Sequence, residues 1–454
     1  MRYLNTTALW ITAFLLLVSG TVQGQGLQGS GSPYSAYGFG NLVGSAQVTQ
    51  AFMGGAGVAV YDQYGVMPIN PASYASLARP VFEIGMALRV QEFVTGKERQ
   101  VGQRSDLLGF SLAGSFGQGR WGFALGLNPV SKVGYRVSDT QPLGNTGQEV
   151  EFQYAGIGGL DRAFIGLGHN IILKRDSLGN GPRWSVGANL NYLFGTIDES
   201  RKAFYPQGGG FLNTNSISSL TMRDPMFTIG TQFQGDLRKR TGRTDNGLRY
   251  MVGASSELPA SLNAKYNKLV NSFVLSGSNI EFPVDTISFV QGAKGSVTLP
   301  PSYAVGFSVY NSKWAITVEH RRRNWNTLSV DVEGFSSRSE LGANASYILG
   351  GSFKPAGDNR GGFWKTTIYR AGFRYTDDYL VVANDQLNEF GMSFGMSLPV
   401  MGSSTRSRLN FGAELGKKGT SDNGLIEQRF ADFYIGLTLT PDNREAWFRK
   451  RRIE

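Results

Sequence analysis

The sequence predicts an all-β protein: a transmembrane antiparallel β-barrel of about 14 strands with an N-terminal plug, or hatch, in its lumen. Three observations carry that prediction. The chain opens on an export leader. From residue 81 to residue 440, apolar residues recur at every second position. The residues between them are mostly small: glycine supplies 61 of 454 positions, and charged residues only 17%, against a usual share of about 25%.

The leader is "MRYLNTTALWITAFLLLVSGTVQGQG". It begins with Arg2, runs through an apolar stretch from Ala8 to Val18 and closes on small or polar residues. Cleavage after Val22-Gln23-Gly24 makes residues 1–24 a secretory signal peptide. A spanning helix needs about 20 apolar residues, and this run is shorter. No later stretch reaches a dozen uninterrupted apolar residues. An exported chain of this kind crosses a membrane only as a closed barrel, the other structure that pairs every backbone group.

Residues 25–80 come next and include "GGAGVAVYDQYGVMPINPASYASL" (54–77), which is small, uncharged and turn-prone. This is the expected plug. The barrel follows over 81–440, with strands expected near 81–95, 105–116, 120–138, 149–173, 183–201, 216–235 and 248–262. Seven more are expected near 297–310, 313–330, 337–352, 364–376, 387–399, 406–417 and 427–440.

The alternation is plain in "FGMSFGMSL", where Phe390, Met392, Phe394, Met396 and Leu398 oppose Gly391, Ser393, Gly395 and Ser397. Period two marks strands with unlike faces. A soluble sandwich would fill its second face with Lys, Glu, Arg and Thr. Large apolar residues opposite Gly, Ser, Ala and Asn instead describe a lipid face and a lumen. The glycines let a plug lie close to the wall.

With the first strand running outward, "GQG" (117–119), "NS" (311–312) and "MGSSTR" (401–406) are inner turns. Segments 202–215, 263–296 and 418–426 are outer loops, the usual asymmetry of such barrels. Two inner turns, near 236–247 and 353–363, are long. Residues 441–454 form a basic periplasmic tail.

Local motifs point to a family. "MGGAGVAVYDQYGVMPINPASYASL", running directly into a strand, resembles the hatch-to-first-strand region of the long-chain fatty acid transporter (FadL/TodX-type) outer-membrane barrels. Asn70-Pro71-Ala72 matches that family's plug triplet. "LPPSYAVGFSVYNSKWAITVEHRRRNW" (299–325) is similar to its Pro-led strand pair. The resemblance implies a lumenal plug, capture of small hydrophobic molecules by outer loops, and sideways exit through a gap or on a plug shift. The Gly-, Ser- and Tyr-rich start of the mature chain and the tail "NREAWFRKRRIE" look more like the plugged barrels of type IX secretion shuttles.

Glu319, Arg321, Arg374 and Glu414 lie in strands and can face the lumen, either as ion pairs bracing plug and wall or as ligand sites. Arg321 and Arg374 are the head-group candidates, because arginine pairs bidentately with a carboxylate. Trp121, Trp184, Trp314 and Trp325 fall near strand ends and are expected in interfacial girdles.

"GMSFG" (391–395) fits a nucleophile-elbow pattern, but Ser393 sits in mid-strand and both histidines, His169 and His320, precede it. No enzymatic activity is expected. The absence of cysteine excludes disulfides and thiolate sites, and two distant histidines offer no metal spacing. No cofactor and no metal are expected. The net charge of +10 is scattered, so no nucleic-acid partner is expected.

The function that follows is an outer-membrane transport protein admitting small hydrophobic molecules, of the fatty acid or hydrocarbon class. The alternative is a plugged-barrel scaffold or shuttle component of a protein secretion system. Its partners would be outer-membrane lipid, a small hydrophobic ligand and, in the alternative, secretion-system proteins.

Overall fold

A computed structural model describes residues 31–441, except 45–46, 97, 145–146, 175, 207–209, 243–244, 277–279, 336–339, 358–360 and 401–405. The leader and nearly all of the tail lie outside the described residues.

The wall is an antiparallel sheet that closes on itself in fourteen crossings. The first six are β2 (Val81–Val94), β3 (Arg99–Phe116), β4 (Trp121–Pro142), β5 (Glu149–Leu173), β6 (Arg183–Phe204) and β7 (Asn213–Arg238). The seventh runs through β8 (Leu248–Glu257) into β9 (Ala260–Leu275), the eighth through β10 (Glu281–Leu299) into β11 (Ser302–Tyr310). Leu258-Pro259 and Pro300-Pro301 separate the halves, because proline cannot donate to the ladder. The ninth is β12 (Trp314–Asn324) with β13 (Ser329–Val332), and the tenth β14 (Glu340–Leu341) with β15 (Ala343–Phe353). Then come β16 (Ile368–Val382), β17 (Asp385–Pro399), β18 (Arg408–Lys418) and β19 (Glu427–Leu439). Closure is direct: β19 pairs with β2 from Glu427↔Val94 to Leu439↔Phe82.

Alternation sorts the faces as expected. On β17, Phe390, Met392, Phe394 and Met396 are exposed while Ser393 and Ser397 are fully buried. Two aromatic girdles bound the apolar band. At the lower end, where β2 begins, the Trp121 and His169 rings lie 4.1 Å apart, with Trp184 and Phe233 exposed nearby. At the upper end His320 and Tyr347, 4.8 Å apart, continue in register to Tyr375 and Phe390. Both histidines therefore sit in the aromatic rings at the two ends of the apolar band.

Trp325 does not join a girdle. The chain turns inward through Trp325–Thr327, and this indole is buried against Phe39 and Tyr379.

The expected outer loop 263–296 is also corrected. It is a hairpin of β9 and β10, paired from Ala260↔Leu299 to Leu275↔Glu281. β9 buries Leu262, Ala264 and Tyr266 but turns the polar Ser261, Asn263 and Lys265 outward, and three register shifts interrupt β10, so the apolar alternation that marks a lipid-facing strand is missing there. Strands β4–β7 are 22–26 residues long, far beyond the roughly 9–11 needed to cross a bilayer. With β9 and β10 they form a tower on one side of the upper end. On the other side β16 and β17 meet in a two-residue turn, Ala383-Asn384, with φ of 53° and 65°. That is the positive-φ pair favoured in tight hairpins.

The described residues between 31 and 80 lie inside this wall and touch it all the way round. The Pro71–Ser76 3₁₀ turn packs on β3–β7. The helical turn Val48–Ala51 meets β2, β17, β18 and β19, and Gly57–Ala59 bond to β12. The approach is close because the wall has no side chains there. Gly122, Gly168, Gly187 and Gly230 form one continuous register row across β4–β7, and a Cβ on any of them would strike residues 70–75. Gly253–Gly306, Gly350–Gly372, Gly395–Gly412 and Gly436–Gly85 are further paired glycines, pressed against Val58, Ala59, Met53, Gly54, Phe52 and Val48. Twelve of the fourteen crossings thus contribute a glycine to one collar. The exceptions offer polar groups: Ser111 on β3 accepts from Gln47 at 2.6 Å, and β12 supplies Glu319.

Candidate functional site: the lumenal cavity and the break in the wall

The plug triplet lies at the collar. Asn70 is fully buried. Its Nδ2 donates to Val58 O at 2.8 Å and to the wall carbonyls of Thr231 and Ala254 at 3.1 and 3.4 Å. Its Oδ1 accepts from Ala72 N at 3.2 Å, capping the turn that Pro71 begins. Pro71 supplies a preset φ at the first helical position. Ala72 sits fully buried in the same turn, which Asn189 and Asn170 tie to the wall through Pro68 O and Ala75 O.

Glu319 is the second anchor. One of its carboxylate oxygens accepts from three successive amides, Gly57, Val58 and Ala59, at 2.7, 2.6 and 3.3 Å. Consecutive N–H groups of a small-residue turn make an anion-binding nest, and "GVA" is what allows the nest to form. Ser393 accepts from Gly54 N at 3.0 Å, so this hydroxyl holds the lumenal segment.

Above the collar lies a cavity of about 290 Å³. Eight of its lining residues are Arg or Lys and five are Asp or Glu. Most are paired. Arg162 and Arg323 share Glu257, Arg89 bridges Asp106 and Asp432 at 2.9 and 2.6 Å, and Lys418 meets Asp378 at 2.6 Å.

Both head-group candidates line this cavity. Arg374 contacts Glu389 and Glu414, each at 2.7 Å. Arg321 pairs with Glu319 at 3.1 Å and donates to Gly44 O and Gly55 O of the lumenal segment. Arg374 therefore ties neighbouring wall strands together, while Arg321 joins the wall to the lumenal segment. Yet the Nε atoms of Arg162, Arg321, Arg323 and Arg374 are buried without a hydrogen-bond partner, which leaves unused donor capacity around the cavity. Sequence reading passed over Arg162, Arg323 and Glu257. The available signal was charge at lumen-facing positions of strands whose other lumen residues are small.

The wall beside the cavity is broken. β3 and β4 pair only from Phe110↔Leu127 to Phe116↔Trp121. Above this β3 stays on β2, and β4 turns its edge to the lumenal segment. There a two-residue strand, β1 (Asn41–Leu42), pairs with Lys132 and Ser131. Val43 N donates to Val130 O at 2.9 Å and Gly134 N to Ser35 Oγ at 3.1 Å. Leu42, Val43, Leu108, Pro129 and Val130 give the cavity an apolar rim on this side. Part of the edge that β3 leaves, from Val130 to Gly134, is thus taken up by the lumenal segment, which forms a latch.

A fourteen-strand antiparallel barrel with a lumenal N-terminal segment defines the class: the fold of the FadL/TodX-type outer-membrane barrels. Three solved structures are similar: the Ralstonia pickettii toluene transporter TbuX (TM-score 0.53, 12% identity, 87% of this chain and 98% of that one), a Pseudomonas aeruginosa FadL homologue (0.53, 11%, 88% and 99%), and the CymD monoaromatic hydrocarbon channel (0.51, 13%, 90% and 100%). Within that class the chain belongs to the BamG family, whose model matches residues 8–454. No curated protein sequence matches it.

Proposed function

We propose that this chain is an outer-membrane barrel, its upper end facing the cell exterior, that passes small amphiphilic molecules with an anionic head. Residues 31–80 serve as its plug. The observation that carries the reading is the break between β3 and β4, apolar at its rim, latched by β1 and opening beside the cavity. A neutral hydrocarbon gains little from a cavity walled by Arg, Glu and Asp, since small-molecule sites are mostly apolar. A fatty-acid-like molecule could set its carboxylate among Arg321, Arg374 and their neighbours, with its tail at the rim. No group in this site is arranged for bond-breaking chemistry, and transport without catalysis is the activity expected.

The latch supplies the test. The chain has no cysteine, so Leu42→Cys with Ser131→Cys, register partners in the β1–β4 pair, forms a specific disulfide. Oxidised protein should stop taking up a long-chain fatty acid, and reductant should restore uptake. Equal uptake by both forms refutes the reading.

A second reading, a scaffold within a protein secretion system, is favoured by one observation: the tower exposes apolar residues above the membrane band. Uptake unaffected by the latch, together with a stoichiometric protein partner, would select it.

A further inference from the structure

The tower ends in an unusual strand. All nine residues from Glu281 to Phe289 on β10 are exposed, and four of them are large and apolar: Phe282 (52%), Val284 (53%), Ile287 (61%) and Phe289 (62%). In the lipid band such exposure is ordinary. Here it is not, because the outward residues of β9 nearest the membrane are the polar, exposed Ser261, Asn263 and Lys265. Acyl chains end below them.

The backbone is open as well. β10 pairs with β9 along its whole length on one edge. On the other edge β13 takes only Gly295–Thr298. Among the described residues nothing pairs with 281–294 on that side. A row of free N–H and C=O groups is complementary to one thing, an extended peptide, and β13 already shows this edge accepting a strand.

The edge is also selective. Its register is irregular between Pro283 and Asp285, Thr286 and Ser288, and Val290 and Ala293. Bulges and a proline obstruct indiscriminate strand pairing. Lys294 faces Lys265 directly across the β9–β10 pair. Both are exposed, and neither has an ion-pair partner among the described residues. Like charges placed opposite one another are unfavourable, so a carboxylate arriving beside them would be stabilised.

We propose that the free edge of β10, residues 285–294, binds an extended segment of a second, cell-surface protein, in line with β13. The segment is apolar at the positions that meet Ile287 and Phe289 and acidic where it passes Lys294. This inference shares only the upper-end orientation with the transport reading, and it needs neither the latch nor the cavity.

The experiment uses the full chain in its native membrane. Glu281→Cys, exposed and outside the bound stretch, should react with a membrane-impermeant maleimide on intact cells; no reaction overturns a cell-surface partner, whatever the uptake assay says. A photo-crosslinking residue at Ile287 or at Phe289 should give an adduct whose cross-linked peptide, read by mass spectrometry, is one extended segment of another protein. The same residue at lipid-facing Phe394 should not. Amides of 285–294 should exchange at least tenfold more slowly in the complex than in the purified barrel. Lys294→Glu should cut adduct yield about tenfold while the heat-shifted gel mobility of a folded barrel is retained. Adducts only with lipid or with a second copy of this chain, no adduct, or unprotected amides each overturn the proposal.

Discussion

The lower and upper halves of the lumen hold the same N-terminal segment by different means. Around the collar the contact is backbone against backbone, with Gly122, Gly168, Gly187 and Gly230 bringing the wall against residues 70–75. Above it the contacts are mixed: Phe39 packs in an aromatic cluster with Trp325 and Tyr379, and polar contacts hold the rest. Arg321 reaches the carbonyls of Gly44 and Gly55, and β1 is held to β4 by a short ladder. Steric fit is unforgiving and insensitive to salt or pH. Charge pairs and two-residue strands can exchange partners. Under the transport reading proposed above, the lower half is then expected to seal and the upper half, held in part by exchangeable contacts, to move.

The largest effect should come from breaking the seal. Gly187→Val places a branched side chain into the backbone of Pro71 and Ala72. Overpacking of this kind costs about 1–3 kcal/mol, and here it can be relieved only by displacing the turn. Planar-bilayer recordings should show conductance steps that the wild type lacks. Gly351→Ala is the control, since its nearest contact would be 3.6 Å away, and it should stay silent. Steps in both variants, or in neither, would remove the distinction between the halves.

Much of this was legible in the sequence, and the failures have physical causes. All fourteen crossings were readable because lipid on one side and a packed segment on the other impose strict alternation, as in Phe390–Leu398. The glycine excess pointed to a closely packed lumen. The β9–β10 hairpin was not legible, because β9 turns polar residues outward above the apolar band and register shifts break the period of β10. Trp325 was misplaced because an inward turn at a strand end looks like a girdle position in one dimension. At the site, Arg321 and Arg374 were found from charge within strands. Their partners Glu389, Gly44 and Gly55 depend on registers across distant strands, which no single sequence displays. The break between β3 and β4 was invisible for the same reason: both strands keep their pattern, and only the pairing is missing.

Glu319 joins the two halves and should give the next largest effect. Glu319→Ala removes the acceptor for the amides of Gly57, Val58 and Ala59. Hydrogen bonds to a charged group contribute about 1.5–3 kcal/mol, so exchange at these amides should quicken about a hundredfold. Glu319→Gln keeps a neutral acceptor and should fall between. Protection left intact in the Ala variant would mean that the glycine collar alone holds the segment.

Arg321→Gln probes the mobile half. It removes a cation that pairs with Glu319 and holds Gly44 and Gly55. Affinity for a long-chain fatty acid, measured by tryptophan quenching in detergent, should drop roughly tenfold, about 1.4 kcal/mol. The collar should not respond, so conductance stays absent. Wild-type affinity would leave this arginine as a brace only.

The smallest effect lies at the lower rim, outside both halves, and serves as the reference for the charge-dependent terms. In the turn between β7 and β8, Asp245 accepts from the backbone of Gly247 and Thr241 and sits near Arg238. These contacts, led by the Gly247 amide, hold its carboxyl down at about 2 from an ordinary 3.8. A depressed carboxylate stabilises the fold above its unfolded value, and that contribution is lost as pH falls through the folded one. Asp245→Asn should therefore lower the thermal midpoint slightly at neutral pH. The gap to wild type should stay constant down to about pH 4 and close by about pH 2. The turn lies at the water-facing rim, so the gap should also shrink with added salt. A gap that persists at pH 2 would assign the effect to turn geometry instead of charge. Salt sensitivity confined to this rim and the upper half, with the collar indifferent, is the pattern that a steric seal under an electrostatic latch requires.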